Sequence, residues 1–104
     1  MRTIGQSILI VSALVLGGSD CFAADVARGE DLARRWCSGC HLVTPDQPSI
    51  LVFTAPFASI AQRPKFNARE LSASLLAPHP QMRDRALSRD EAADIAAYIR
   101  SLRK

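Results

Sequence analysis

Apolar residues recur at helical spacing through most of the chain beyond residue 24, and alternate at strand spacing almost nowhere. The clearest stripe is near the C-terminus. Ala92, Ile95, Ala96, Ile99 and Leu102 fall at i, i+3, i+4, i+7 and i+10, predicting a helix over about 89–102. Ser88 and Glu91 just before the stripe have the spacing of a capping box. Arg100, Arg103 and Lys104 put positive charge at the end where the helix dipole favours it.

Three further helices are predicted upstream. Asp25 is a good N-cap for a helix running to about Trp36, with Val26, Leu32 and Ala33 inward and Arg28, Glu30, Asp31 and Arg34 outward. Gly29 inside it costs about 1 kcal/mol relative to Ala. Spacing alone supports close helix approach and plain tolerance equally. Residues 56–62 (PFASIAQ) read as a short helix with Pro56 in the first position. Asn67 and Glu70 have capping-box spacing for a helix to about Ala77, with Leu71, Leu75 and Leu76 inward. Pro78-His79-Pro80 ends it in an extended turn. Residues 42–55 read as a loop over apolar surface, and Ile50–Thr54 is the one strand candidate, without a partner. The fold class is therefore all-α, of about four helices.

The N-terminal pattern differs. Arg2 precedes an apolar run, Ile8–Leu16 (ILIVSALVL), and a small-residue region ends at Ala23 and Ala24. This is the pattern of a secretory signal peptide, residues 1–23, cleaved after Ala23 so that Cys21 and Ala23 take the small-residue positions. A retained anchor needs about 20 apolar residues, roughly twice what this run offers. A lipid anchor on Cys21 is disfavoured by Asp20 just before it and by Gly18 where Leu is expected. The domain is then 24–104, with no membrane span, exported to a bacterial periplasm. Losing Arg2 and Asp20 leaves the net charge at +3. The basic residues are scattered, with no dense run and few aromatics between them, which excludes a nucleic-acid footprint.

Removing Cys21 leaves a single pair, Cys37 and Cys40, in an oxidising compartment. Cys37-Ser38-Gly39-Cys40-His41 matches C-x-x-C-H, the c-type haem attachment pattern. Two thiols add across the two vinyl groups of one haem, and a two-residue gap lets both sulfurs reach the same macrocycle edge. His41, directly after the second Cys, is then the proximal iron ligand. Two other readings compete. Trp36-Cys37-Ser38-Gly39-Cys40 looks like the W-C-x-x-C of thioredoxin-like dithiols, but that motif belongs in a βαβ context absent here. A zinc site from Cys37, Cys40, His41 and His79 would have to use adjacent residues, an awkward tetrahedral set. Met82 is the one methionine beyond the leader and lies between two helices after a proline-stiffened turn. Such a loop can deliver a thioether to the distal iron face, and His/Met ligation raises the reduction potential. His79 is the competing distal ligand, or an exposed loop histidine.

With these features in place, the chain resembles the class I c-type cytochromes over nearly all of residues 24–104. The resemblance rests on a first helix with Gly29, the C-x-x-C-H, the Ala55-Pro56 step, the methionine loop and a last helix containing Ala97-Tyr98-Ile99. It implies a cytochrome c-like fold wrapped around one covalently bound haem c, with the first and last helices crossing at Gly29 and Tyr98. It implies that the Pro56 carbonyl accepts from the His41 ring, with Pro48 as the alternative. Pro56, Phe57, Ile60, Leu71 and Leu75 are expected in the haem pocket, and Leu42, Ile95 and Ile99 in the pocket or core. In one departure, Arg83 follows Met82 where the family often has Pro, so a looser loop is expected. The expected function is single-electron transfer between a redox donor and acceptor, not enzymatic turnover. Arg63, Lys65, Arg69, Arg83 and Arg85 are candidate cations for an acidic docking patch on the partner. A monomer or a weak complex is expected. A labile Met82 would instead make the protein a haem-based sensor or peroxidase.

Overall fold

The computed structural model describes residues 23–48, 54–78 and 86–104. Among these residues four helices form in chain order: α1 (Val26–Trp36), α2 (Phe57–Ala61), α3 (Ala68–Leu76) and α4 (Arg89–Ser101). No strand forms among the described residues. In the strand candidate, residues 50–53 lie outside them and Thr54 sits in a bend.

Local chemistry sets the helix starts. The Asp25 carboxylate accepts from the Arg28 N–H at 3.0 Å, and the Asn67 side chain accepts from the Glu70 N–H at 3.1 Å. At Ser88 the full capping box closes: its Oγ accepts from the Glu91 N–H at 3.1 Å, and Glu91 accepts from the Ser88 N–H at 3.0 Å. At Asn67 only the forward half of the expected box is made. Pro56 is the N-cap of α2 and not its first helical residue; its carbonyl accepts from the Ser59 and Ile60 amides.

Packing is organised around α4, which approaches each of the other three helices, while among the described residues no two of those three come within 8 Å at their Cα atoms. Ala92, Ile95, Ala96 and Ile99 are buried as the stripe predicts, and Leu102 caps the helix half-buried. Leu32 and Ala33 of α1 face this stripe, whereas Val26 is 43% exposed and does not join them. At that crossing Gly29 is buried against α4. A Cβ built on it would lie 1.9 Å from the Asp94 carbonyl oxygen and 3.0 Å from Tyr98 Cβ, so the missing side chain is what allows the approach. The Tyr98 hydroxyl continues past the crossing and donates to the Val43 carbonyl at 2.6 Å. Burial, followed by the nearby Glu30 charge, pushes its phenol above the ordinary value, which keeps that donor protonated.

Candidate functional site

The helices leave an apolar cavity of about 380 Å³. This is within the 300–1,000 Å³ range of cofactor sites. The structure brings together around it six residues singled out from sequence: Cys37, His41, Phe57, Ile60, Leu71 and Leu75. Ile99 closes the floor from α4, whereas Ile95 is fully buried in the core behind it. Leu42 does not line the cavity; its carbonyl accepts from the Phe57 N–H at 3.0 Å and ties the loop to α2. Pro56 does not line it either.

The C-x-x-C-H segment follows α1 directly as a turn. The Cys37 amide completes the helix on Ala33, and the Cys40 and His41 amides both donate to the Cys37 carbonyl, at 3.1 and 2.8 Å. This winds the chain so that Cys37 is buried, Cys40 is half-buried, and His41 is presented to the cavity. The two thiols are not bonded to each other. Burial, and then the neighbouring Cys40, push the Cys37 thiol up to about 11. A dithiol nucleophile needs the opposite shift, so the microenvironment does not fit the thioredoxin-like reading.

His41 is oriented from two sides. Its Nδ1 lies 2.7 Å from the Ala55 carbonyl and donates to it, which puts the ring lone pair on Nε2. Its ring packs against Phe57 with centroids 5.2 Å apart and planes tilted by 48°. The acceptor is therefore Ala55 and not Pro56 or Pro48. The Pro56 carbonyl already accepts from the Ser59 and Ile60 amides at the start of α2, which leaves the preceding carbonyl to face the imidazole.

Met82, its competitor His79, and Arg83 and Arg85 lie outside the described residues. The residues flanking that segment do not. Ala77 and Pro78 on one side, and Ala86 and Leu87 on the other, all line the cavity. Sequence reasoning missed them because small and apolar residues at helix ends carry no periodic signal. It also missed Asp94, which is 5% exposed on the apolar side of α4. Asp94 accepts from the Asp25 N–H at 2.8 Å and pairs with Arg28 at 3.3 Å.

An apolar cavity with one of two adjacent thiols on its wall and an oriented imidazole facing it has the donor set of a covalent haem site. Comparison with known proteins agrees. The family model for cytochrome c matches residues 26–103. The chain is 47% identical over 98 residues to cytochrome c-552 of Bradyrhizobium diazoefficiens, covering 94% of each chain. It is 38% identical over 84 residues to the cytochrome bc1 complex cytochrome c subunit of Corynebacterium diphtheriae, covering 78% of this chain and 28% of that one. No solved structure gives a significant match. The chain belongs to the cytochrome c family. It is a monohaem electron carrier with one covalently bound haem c, and the four helices among the described residues belong to the all-α cytochrome c fold. Among the described residues no helix is long and apolar enough to cross a membrane.

Proposed function

We propose that this protein is an exported, single-electron shuttle of a bacterial periplasm, with Cys37 and Cys40 in thioether linkage to the haem, His41 as proximal ligand and Met82 as distal ligand. The observation that carries the reading is the His41 ring. It faces an apolar cavity beside Cys37, with Nδ1 committed to Ala55 and the lone pair therefore on Nε2. When bound, the haem supplies a one-electron ferric/ferrous couple. The chain's own residues do the rest. The Ala55 carbonyl fixes the His41 tautomer and raises its basicity. Phe57, Ile60, Leu71, Leu75 and Ile99 exclude water and disfavour the more highly charged oxidised centre. Met82 as distal ligand is supported by its flanks, since residues 77–78 and 86–87 line the cavity on either side of the segment that carries it.

Residues 1–23 as an export signal are supported by the short apolar run and the small-residue site. A relative that matches over 94% of both chains has a counterpart of most of this stretch. Arg63, Lys65 and Arg69 are exposed and would steer an acidic partner. With Arg83 and Arg85 they form the proposed docking set; replacing Arg83 and Arg85 by Glu should slow partner reduction at low salt, and an unchanged rate would remove the steering role. A second reading, a dedicated electron-carrying subunit of a periplasmic oxidoreductase, is supported by the likeness to a subunit of a larger complex, the cytochrome bc1 complex. Co-purification with such a complex would establish it.

The test is an absorption spectrum of the oxidised and reduced holoprotein, followed by a haem-stained denaturing gel. Haem that stays on the denatured chain, with a weak Met–iron band at the red end of the oxidised spectrum, is expected. That band should vanish in Met82→Ala and persist in His79→Ala. The reverse pattern would transfer the distal role to His79. An open iron site in the wild type would move the function towards sensing or peroxide chemistry.

A further inference from the structure

Gln47 belongs to none of the motifs above, yet its side chain meets the C-x-x-C-H turn at several points. Nε2 donates to the Ser38 carbonyl at 2.8 Å and to the His41 carbonyl at 2.9 Å, and Oε1 accepts from the Val43 N–H at 3.1 Å. Both amide hydrogens and the oxygen are used. The network itself fixes the orientation of the amide, since a flipped group would set its oxygen against two carbonyls and its NH₂ against an N–H. Glu could supply the acceptor but, ionised, neither donor. Lys could supply donors but no acceptor, and Asn is one methylene short. The side chain is half-buried and is carried by a turn in which its own amide donates to Thr44 at 3.3 Å.

The contacts extend to the helix core. Val43 is held on its N–H by Gln47 and on its carbonyl by the Tyr98 hydroxyl, and Tyr98 packs beside Gly29 at the α1–α4 crossing. His41 is thus fixed at its ring by Ala55 and at its backbone by Gln47. We infer that Gln47 is a positioning residue for electron transfer, clamping the attachment turn so that the His41 imidazole keeps one orientation in both redox states. This rests on His41 being the proximal ligand, as proposed above. The clamp limits the rearrangement that accompanies each electron by holding the backbone that carries the ligand.

The experiment uses haem-loaded wild type, Gln47→Glu and Gln47→Asn, with Ser88→Ala as a control that loses a helix cap away from the turn. Proton NMR of the oxidised protein reads the orientation of the proximal ring from the spread of the haem-methyl resonances. The same samples give the electron self-exchange rate. Both Gln47 variants should shift the methyl pattern and lower self-exchange by about tenfold, the low end of what loss of a ligand-orienting partner costs. Ser88→Ala should lower only the melting temperature. Methyl patterns and rates unchanged in both Gln47 variants would overturn the inference, even if melting fell, because Gln47 would then be only a loop staple. Gln47→Asn keeps an uncharged amide and covers the case in which Gln47→Glu fails to mature. Absence of covalent haem in the wild type would overturn the ligand assignment itself, and it is read before any variant is compared.

Discussion

At Gly29 two effects of an added methyl oppose each other. In an isolated helix Gly→Ala gains about 1 kcal/mol. Here the new Cβ would sit 1.9 Å from the Asp94 carbonyl oxygen, and that obstacle is backbone, which cannot rotate away. Overpacking of a tight core costs about 1–3 kcal/mol, and a main-chain clash belongs at the upper end. The overlap wins. Gly29→Ala should destabilise the holoprotein by about 2 kcal/mol net, read from the denaturant midpoint at unchanged slope. A gain in stability would show that α1 and α4 can part at no cost. Asp94 is bound to the same crossing. Its carboxylate holds the Asp25 N–H and the Arg28 guanidinium, tying the start of α1 to α4. Asp94→Asn should keep the hydrogen bond and lose only the charge of a pair whose Arg28 side chain is half exposed. The expected loss in thermal or chemical melts is therefore under about 1 kcal/mol. A much larger loss would mark the pair as a desolvated one.

At the scale of elements, the helices were legible where sequence and packing agree. The capping box at Ser88 and the stripe to Leu102 predict α4 almost to the residue, because the polar cap and the apolar face are both local patterns. Ser88→Ala removes one partner of that box and should cost about 1 kcal/mol in a melt, the usual value for a lost N-cap. No change would mean that tertiary contacts alone position the start of α4. Other features depend on where another element lies, and sequence spacing does not contain that. Val26 has the periodicity of a buried residue and is 43% exposed. Leu76, expected inward, is 43% exposed in α3 yet lines the cavity, so its environment is set by the cavity mouth and not by a neighbouring helix. The His41 acceptor, Ala55, lies one residue before the expected Pro56 because the Pro56 carbonyl is claimed by α2, a competition visible only once α2 has formed. Gln47 gave no signal at all. A glutamine in a Pro-flanked loop is ordinary surface by composition, and its three hydrogen bonds exist only after the turn at 37–41 has folded towards it.

At the scale of the whole molecule, α4 is the element on which the others assemble. Among the described residues α1, α2 and α3 each approach α4, and no two of those three come within 8 Å at their Cα atoms. Beside this arrangement lies the cavity lined by α2, α3, Ile99 of α4 and the Cys37–His41 turn. A domain of this size has only about 4–12 kcal/mol of net stability, at ~0.05–0.15 kcal/mol per residue. A haem held by Cys37 and Cys40 against this cavity would then be a packing partner of α2 and α3 as well as the redox centre. A Cys37→Ser/Cys40→Ser chain expressed without haem should therefore show little helical circular dichroism and no cooperative thermal transition. The holoprotein should melt in one step. The serine pair keeps nearly the same side-chain size, so a collapse of the fold would come from losing the haem and not from a new packing defect. A haemless chain that instead melts cooperatively would mean that contacts to α4 are sufficient, and that the cavity collapses when empty.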